Sequence, residues 1–206
     1  MGLIVQKFGG TSVADSEKIK NVTKAVIKEK LNGNDVIVVV SAMGHTTDNL
    51  VKLAFEITNK PSEREMDMLL STGEQISMSL LAMAINELGY KAISLTGLQV
   101  GIKTENCHMC ARILDIETTR VKKHLREGNI VIIAGFQGVC EDNEITTLGR
   151  GGSDTTAVAL ACAFKADRCD IYSDVEGVYT ADPRVIKTAQ KLDVISYEEM
   201  LELARV

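Results

Sequence analysis

Lys7-Phe8-Gly9-Gly10-Thr11-Ser12 places a cation, two glycines and two hydroxyls directly after an apolar run, Leu3-Ile4-Val5. Glycines let a ligand approach the backbone, and clustered N–H groups beside a lysine attract anions. A second loop of this kind, Gly149-Arg150-Gly151-Gly152-Ser153-Asp154, precedes an Ala-rich stretch. It falls one residue short of the dinucleotide fingerprint G-x-G-x-x-G. Asp154 holds the last position, where glycine permits close packing and a carboxylate repels a pyrophosphate. The Walker pattern is absent too, since the lysine precedes the glycines. Glycine amides, a lysine and a carboxylate together suit a magnesium–triphosphate site.

Cys107-His108-Met109-Cys110 is a CxxC, yet no second pair follows at zinc spacing. Nor does it open a helix after a strand, as thioredoxin-type pairs do. Neither a metal nor a redox role is expected of it, and no side chain is assigned as a metal ligand. Cys140, Cys162 and Cys169 lie in apolar contexts and read as small core residues. His45, His108 and His124 form no ligand or triad spacing and read as surface or loop residues. Five cysteines, an odd number, fit a reducing compartment.

The chain has 206 residues, 45% hydrophobic and 25% charged, enough for one large domain with a substantial core. Its net charge of −5 argues against an electrostatic nucleic-acid binder, so any anion site must be local. The start lacks a signal-like apolar region, and Gln6 breaks the myristoylation pattern. The longest aliphatic run, Val36 to Val40, is too short to cross a bilayer. A cytoplasmic enzyme or binding protein is expected, with no membrane or nucleic-acid partner.

The elements that must position these residues alternate. Leu3–Phe8 reads as a strand, 15–30 as an amphipathic helix capped by Asp15 or Ser16, and 36–40 as a fully buried strand. A long helix over 63–88 keeps apolar spacing, with small residues at Gly73 and Ser77. Strands are expected at 92–95, 130–134 and 170–173, helices at 117–126, 153–166 and 196–205, and a hairpin over 139–147. Such alternation means a mostly parallel sheet with helices on both faces, and no linker or repeat divides it. Ligands then collect at the carboxyl ends of the strands, where the loops quoted above fall. Ser41-Ala42-Met43-Gly44, Thr46-Thr47-Asp48, Gly135-Phe136-Gln137-Gly138 and Ser173-Asp174 fall there as well.

Taken in order, the two Gly-rich loops, Val40-Ser41-Ala42-Met43-Gly44, Ser71-Thr72-Gly73-Glu74, Gly135-Phe136-Gln137-Gly138, Tyr172-Ser173-Asp174-Val175 and Val178-Tyr179-Thr180-Ala181-Asp182-Pro183-Arg184 resemble the catalytic domain of the aspartokinases. That family lies within the amino acid kinase superfamily. The resemblance runs essentially end to end and implies a three-layer αβα sandwich around a central, mainly parallel eight-stranded sheet. It implies ATP-dependent phosphorylation of the β-carboxylate of L-aspartate to 4-phospho-L-aspartate, the entry to lysine, threonine and methionine, with ATP and Mg2+ as cofactors. Lys7 and Asp154 would be catalytic. Ser41, Thr47, Glu74, Arg150 and Ser153 would hold aspartate, Arg150 by its carboxylate and Glu74 by its amino group. Lys7, Phe8, Gly9, Gly10, Ser173, Asp174, Tyr179 and Arg184 would surround the nucleotide.

The family continues beyond the position of Val206 into a further nucleotide-side block and regulatory ACT domains. Residues 1–206 therefore read as a catalytic domain with an incomplete C-terminal end, expected to fold but to bind ATP weakly. The parent enzyme would be a homo-oligomer. Two alternatives stay open: a kinase for another amino-acid carboxylate, and a nucleotide- or anion-binding piece with little turnover.

Overall fold

Leu3–Phe8 (β1) and Asp35–Val40 (β2) lie side by side in parallel register, Lys7 opposite Val39 and Phe8 opposite Val40. From Val36 to Val40 every side chain is buried. That is the pattern of a strand covered on both faces, and β-branched residues suit its pleat. The remaining strands are β3 (Ala92–Leu95), β4 (Ile102–Thr104), β5 (Ile113–Ile116), β6 (Ile130–Ala134), β7 (Gln137–Val139), β8 (Ile145–Thr147) and β9 (Arg168–Tyr172). The helices are α1 (Ser16–Leu31), α2 (Thr46–Ile57), α3 (Glu63–Glu87), α4 (Gly97–Val100), α5 (Thr119–Arg126), α6 (Gly152–Phe164) and α7 (Tyr197–Ala204).

This is a computed structural model, and it describes residues 2–204. The chain divides into two compact units, Met1–Ser173 and Asp174–Val206. The sequence shows no linker there, yet the division follows directly on β9.

In the first unit, five strands form a wholly parallel sheet in the order β3-β6-β2-β1-β9. The α/β class and parallel sheet agree with expectation; the strand count does not reach eight. The other four strands pair separately, in the order β5-β4-β7-β8, with mostly antiparallel neighbours. The hairpin β7–β8 and the short β4 and β5 satisfy their backbone groups with one another.

Alternation along the buried strands splits the core in two. Val36, Val38, Val40, Ile130 and Ile132 meet Ile19, Val22 and Val26 of α1 and Met78, Leu81 and Ile85 of α3. Ile37, Val39, Val131 and Ile133 face the other way, onto Val121 and Leu125 of α5 and Ala157, Leu160 and Phe164 of α6. The result is three layers, helix, sheet, helix. By length and composition α3 would also pass for a membrane span, but it is a core helix, capped at its start by Ser62, which accepts from the Glu65 N–H. Asp15 caps α1 in the same way, accepting from the Lys18 N–H.

Helix α2 has no expected counterpart. It buries no residue, and Leu53, Phe55 and Ile57 are exposed, although Leu50, Leu53, Ala54 and Ile57 keep the spacing of one helical face. Cys162 is exposed rather than in the core, and Cys169 is half-buried; of the three, Cys140 is buried. The helix over 196–205 appears as α7 through Ala204, and Arg205 lies outside the described residues. In the second unit, Tyr179 and Lys191 form an antiparallel bridge, reinforced by Leu192 N–H donating to the Val178 carbonyl at 2.8 Å.

Leu81→Ala, at a fully buried position of α3, should cost about 2–5 kcal/mol, whereas Ile57→Ala on exposed α2 should stay within about 0.5 kcal/mol. Urea denaturation of the two variants checks this.

Candidate active site

Lys7 is the penultimate residue of β1, between β2 and β9, so its ammonium emerges at the carboxyl edge of the parallel sheet. Its side chain is only 10% exposed, and Nζ lies 2.7 Å from Asp154 Oδ1. Asp154 sits in the first turn of α6, where the helix dipole favours an acid. Helix α6 begins without a side-chain cap: Gly151 precedes it with φ of +71°, a left-handed backbone that glycine adopts freely. The Gly152 N–H turns back to the Gly149 carbonyl at 3.1 Å, and Gly152, Ser153 and Asp154 line the cleft beside Lys7.

Helix α3 supplies the opposite wall. A Cβ on Gly73 would lie 2.8 Å from Ala42 Cβ, so α3 approaches the loop after β2 more closely than a larger residue would allow. Ser77, one turn on, donates to the Ser41 carbonyl at 2.7 Å. Between them Glu74, 3% exposed, accepts from the Ala42 N–H through Oε1 at 3.2 Å. Its other oxygen, Oε2, is buried with no hydrogen-bond partner. Burial pushes the Glu74 carboxyl up to about 7. A half-satisfied buried carboxylate at a cavity wall is a socket for a donor that the chain does not itself supply.

These elements enclose a cleft of about 760 Å³. Lys7, Gly10, Ser41, Thr47, Glu74, Arg150, Ser153 and Asp154 all line it, so most residues singled out from sequence are brought to one place. Thr47 reaches it from the first turn of α2, not from a loop. Arg150 is exposed on the loop before α6. Phe8 is elsewhere: its ring is in the core, stacked on Tyr172 at 4.5 Å, and borders a smaller cavity of about 270 Å³ with Ser12 and Ser173. Gly9 lies in the turn between, its N–H donating to the Tyr172 carbonyl. Asp174, Tyr179 and Arg184 belong to the second unit. There Tyr179 and Arg184 line a cavity of about 460 Å³, with the Arg184 guanidinium paired to Asp182 at 2.9 Å.

The cleft also holds residues that sequence reading passed over. Phe136, φ +69°, and Met109, φ +64°, line it from strained turns. Both lie in quoted motifs, but nothing in the sequence marks their backbone. Beneath them, Asp67 is fully buried in α3 and gathers three donors. It accepts from His108 Nδ1 at 2.7 Å, from the Met109 N–H at 3.1 Å and from the Thr147 hydroxyl. His108 is a loop residue, as expected, and its ring is tied into this buried network.

The amino acid kinase family profile matches residues 2–206. The chain belongs to the amino acid kinase family. It is 67% identical over all 206 of its residues to an aspartokinase of Geobacillus stearothermophilus, of which it covers 51%. The chain thus spans about half the length of the curated relatives it matches. Among solved structures, an aspartate kinase from Synechocystis superposes with a TM-score of 0.86 at 56% identity, over 98% of this chain and 34% of that one. Escherichia coli aspartokinase III, solved with aspartate and ADP, gives 0.87 at 30% identity, over 98% of this chain and 56% of that one. The parallel sheet is thus that of an amino acid kinase.

Glu74 makes a pH prediction. Its folded-state value lies above the ordinary 4.5, so the folded chain holds more protons than the unfolded one between about 4.5 and 7. Stability should fall as pH rises through that window, by at most about 3 kcal/mol. Glu74→Gln keeps an acceptor for Ala42 and removes the titration. Denaturant melts at pH 5 and 8 should show the wild type losing stability relative to this variant; parallel pH profiles would refute the assignment.

Proposed function

We propose that this chain is the catalytic part of an aspartate kinase, transferring the γ-phosphoryl group of ATP to the β-carboxylate of L-aspartate. The observation that carries the reading is the pairing of Glu74 and Arg150 in the cleft that Lys7 and Asp154 also line. Aspartate brings one ammonium and two carboxylates. The buried, unpartnered Oε2 of Glu74 matches the ammonium, and Arg150 can grip the α-carboxylate through its two-pronged guanidinium. Ser41, Thr47 and Ser153 offer hydroxyls around the remainder. The names of the relatives, aspartokinase and aspartate kinase, and the aspartate and ADP bound to the E. coli enzyme, support the same choice.

The chemistry follows from charge. An ionised β-carboxylate oxygen attacks the γ-phosphorus, a new P–O bond forms, and the bond to the bridging oxygen breaks, leaving ADP and 4-phospho-L-aspartate. No general base is required, because the attacking carboxylate is ionised at neutral pH. The burden is to neutralise the phosphoryl oxygens and align the partners, and Lys7 with the first amides of α6 does so. Asp154 fixes Lys7 rather than attacking. Phe8, Gly9, Gly10 and Ser173, together with Asp174, Tyr179 and Arg184, are proposed to attend the nucleotide.

Among the described residues no group of three or more His, Cys, Asp or Glu side chains could cage a metal ion. A magnesium ion carried by the nucleotide phosphates needs only one or two carboxylates, and Asp154, 47% exposed at the cleft, fits that part. Bound there, it would supply charge neutralisation on the phosphates. The product would enter lysine, threonine and methionine synthesis, and the protein is proposed to be a cytoplasmic homo-oligomer.

Coupled ADP release over a panel of aspartate, glutamate, acetylglutamate and UMP, with hydroxylamine trapping of the acyl phosphate from the carboxylate acceptors, tests the reading; ADP release with aspartate alone is expected. Glu74→Ala and Arg150→Ala should each raise the KM for aspartate roughly ten- to a hundredfold with little change for ATP, the size of one charge-assisted contact. Losses confined to ATP would put aspartate elsewhere.

A further inference from the structure

Cys107 and Cys110 face each other across the turn between β4 and β5, their sulfurs 2.8 Å apart and both thiols free. The CxxC pattern alone counted against a redox pair, because it opens no helix. The turn provides the proximity instead: Met109, between the two, takes the left-handed backbone, and the Glu105 N–H closes the loop onto the Arg112 carbonyl at 3.0 Å. The loop is held from two further sides. Ala111 N–H donates to the Thr147 carbonyl at 2.9 Å, while Met109 N–H and His108 are bound by buried Asp67. Two thiols kept at contact distance on an anchored turn lose little freedom on joining, which favours the closed disulfide. Cys110 is exposed and Cys107 half-buried, so a small oxidant reaches the pair.

We propose that Cys107 and Cys110 form a reversible dithiol–disulfide site, oxidised by low-molecular-weight disulfides, on the loop that carries Met109 into the cleft. Exposed Cys110, as thiolate, attacks one sulfur of the oxidant, forming a mixed disulfide and expelling a thiolate. Cys107, as thiolate, then attacks the Cys110 sulfur and expels the second. The oxidant gains two electrons, and the two protons from the cysteines end on its released thiols. The consequence for the cleft is local. Met109 lines it, and the Met109 carbonyl lies 3.3 Å from where a Cβ on Gly149 would stand, directly before Arg150. Joining the sulfurs would stiffen the turn that holds this carbonyl and the Asp67 bonds.

The test is incubation of the purified protein in glutathione redox buffers, alkylation of free thiols and peptide mass mapping. The peptide spanning Cys107 and Cys110 should lose two hydrogens before exposed Cys162 acquires glutathione, and dithiothreitol should restore it. Cys107→Ser should instead trap glutathione on Cys110. Wild-type protein that keeps both thiols alkylatable, or carries glutathione on each separately, would overturn the site. Amide exchange at Met109, compared between the two redox states, should change by about threefold or more; identical exchange would overturn the link to the cleft. None of these readouts requires turnover, so a failed kinase assay leaves this inference standing or falling on its own data.

Discussion

A lysine nine-tenths buried at the end of a sheet strand survives only beside a counter-charge, and the Lys7–Asp154 ion pair at 2.7 Å is the constraint around which the cleft is arranged. It ties the edge of β1 to the first turn of α6. For Asp154 to reach Lys7, α6 must begin directly over the strand ends, and the chain must turn sharply at Gly149 and Gly151, both with positive φ. That turn also brings Arg150 to the rim and Ser153 to the floor. One electrostatic contact thus fixes the Lys7 side of the cleft together with Arg150 and Ser153, which are proposed to hold aspartate.

The other half depends on how closely α3 lies to the loop after β2. Gly73 and Ser77 let it settle onto Ala42 and Ser41, and Glu74 is carried below the surface with only one of its oxygens satisfied. The cost appears as a carboxyl held up near 7. On the proposed function, a substrate ammonium would relieve that cost by replacing the lost solvation, turning the stability sacrificed in the empty protein into selectivity for an amine. Two turns earlier on the same helix, Asp67 binds the 105–111 turn, so α3 links the Glu74 wall of the cleft to the loop of Cys107 and Cys110.

Much of this was legible in the sequence because local and tertiary signals coincide. Strand β2 is unbroken Val and Ile after Asp35, Asp15 caps α1, and the Gly-rich loops follow strands. What escaped had no local signature. Helix α2 is the exception, since Leu50, Leu53, Ala54 and Ile57 keep helical spacing although the helix buries no residue. Four short strands pair in a sheet of their own instead of extending the central one, a choice made by long-range pairing. Asp67 reads as a polar residue in the first turns of a helix until its partners, remote in sequence, are seen to converge on it. Phe136 and Met109 owe their place in the cleft to left-handed backbones that their side-chain types disfavour.

A double-mutant cycle on Lys7 and Asp154, read as kcat/KM for aspartate phosphorylation, tests the account most directly. If Asp154 acts by holding Lys7, then Lys7→Ala should lower turnover by several orders of magnitude, Asp154→Ala by less, and the double variant should be no worse than Lys7→Ala. Additive losses, or a well-folded Lys7→Ala enzyme with near-normal turnover, would contradict it.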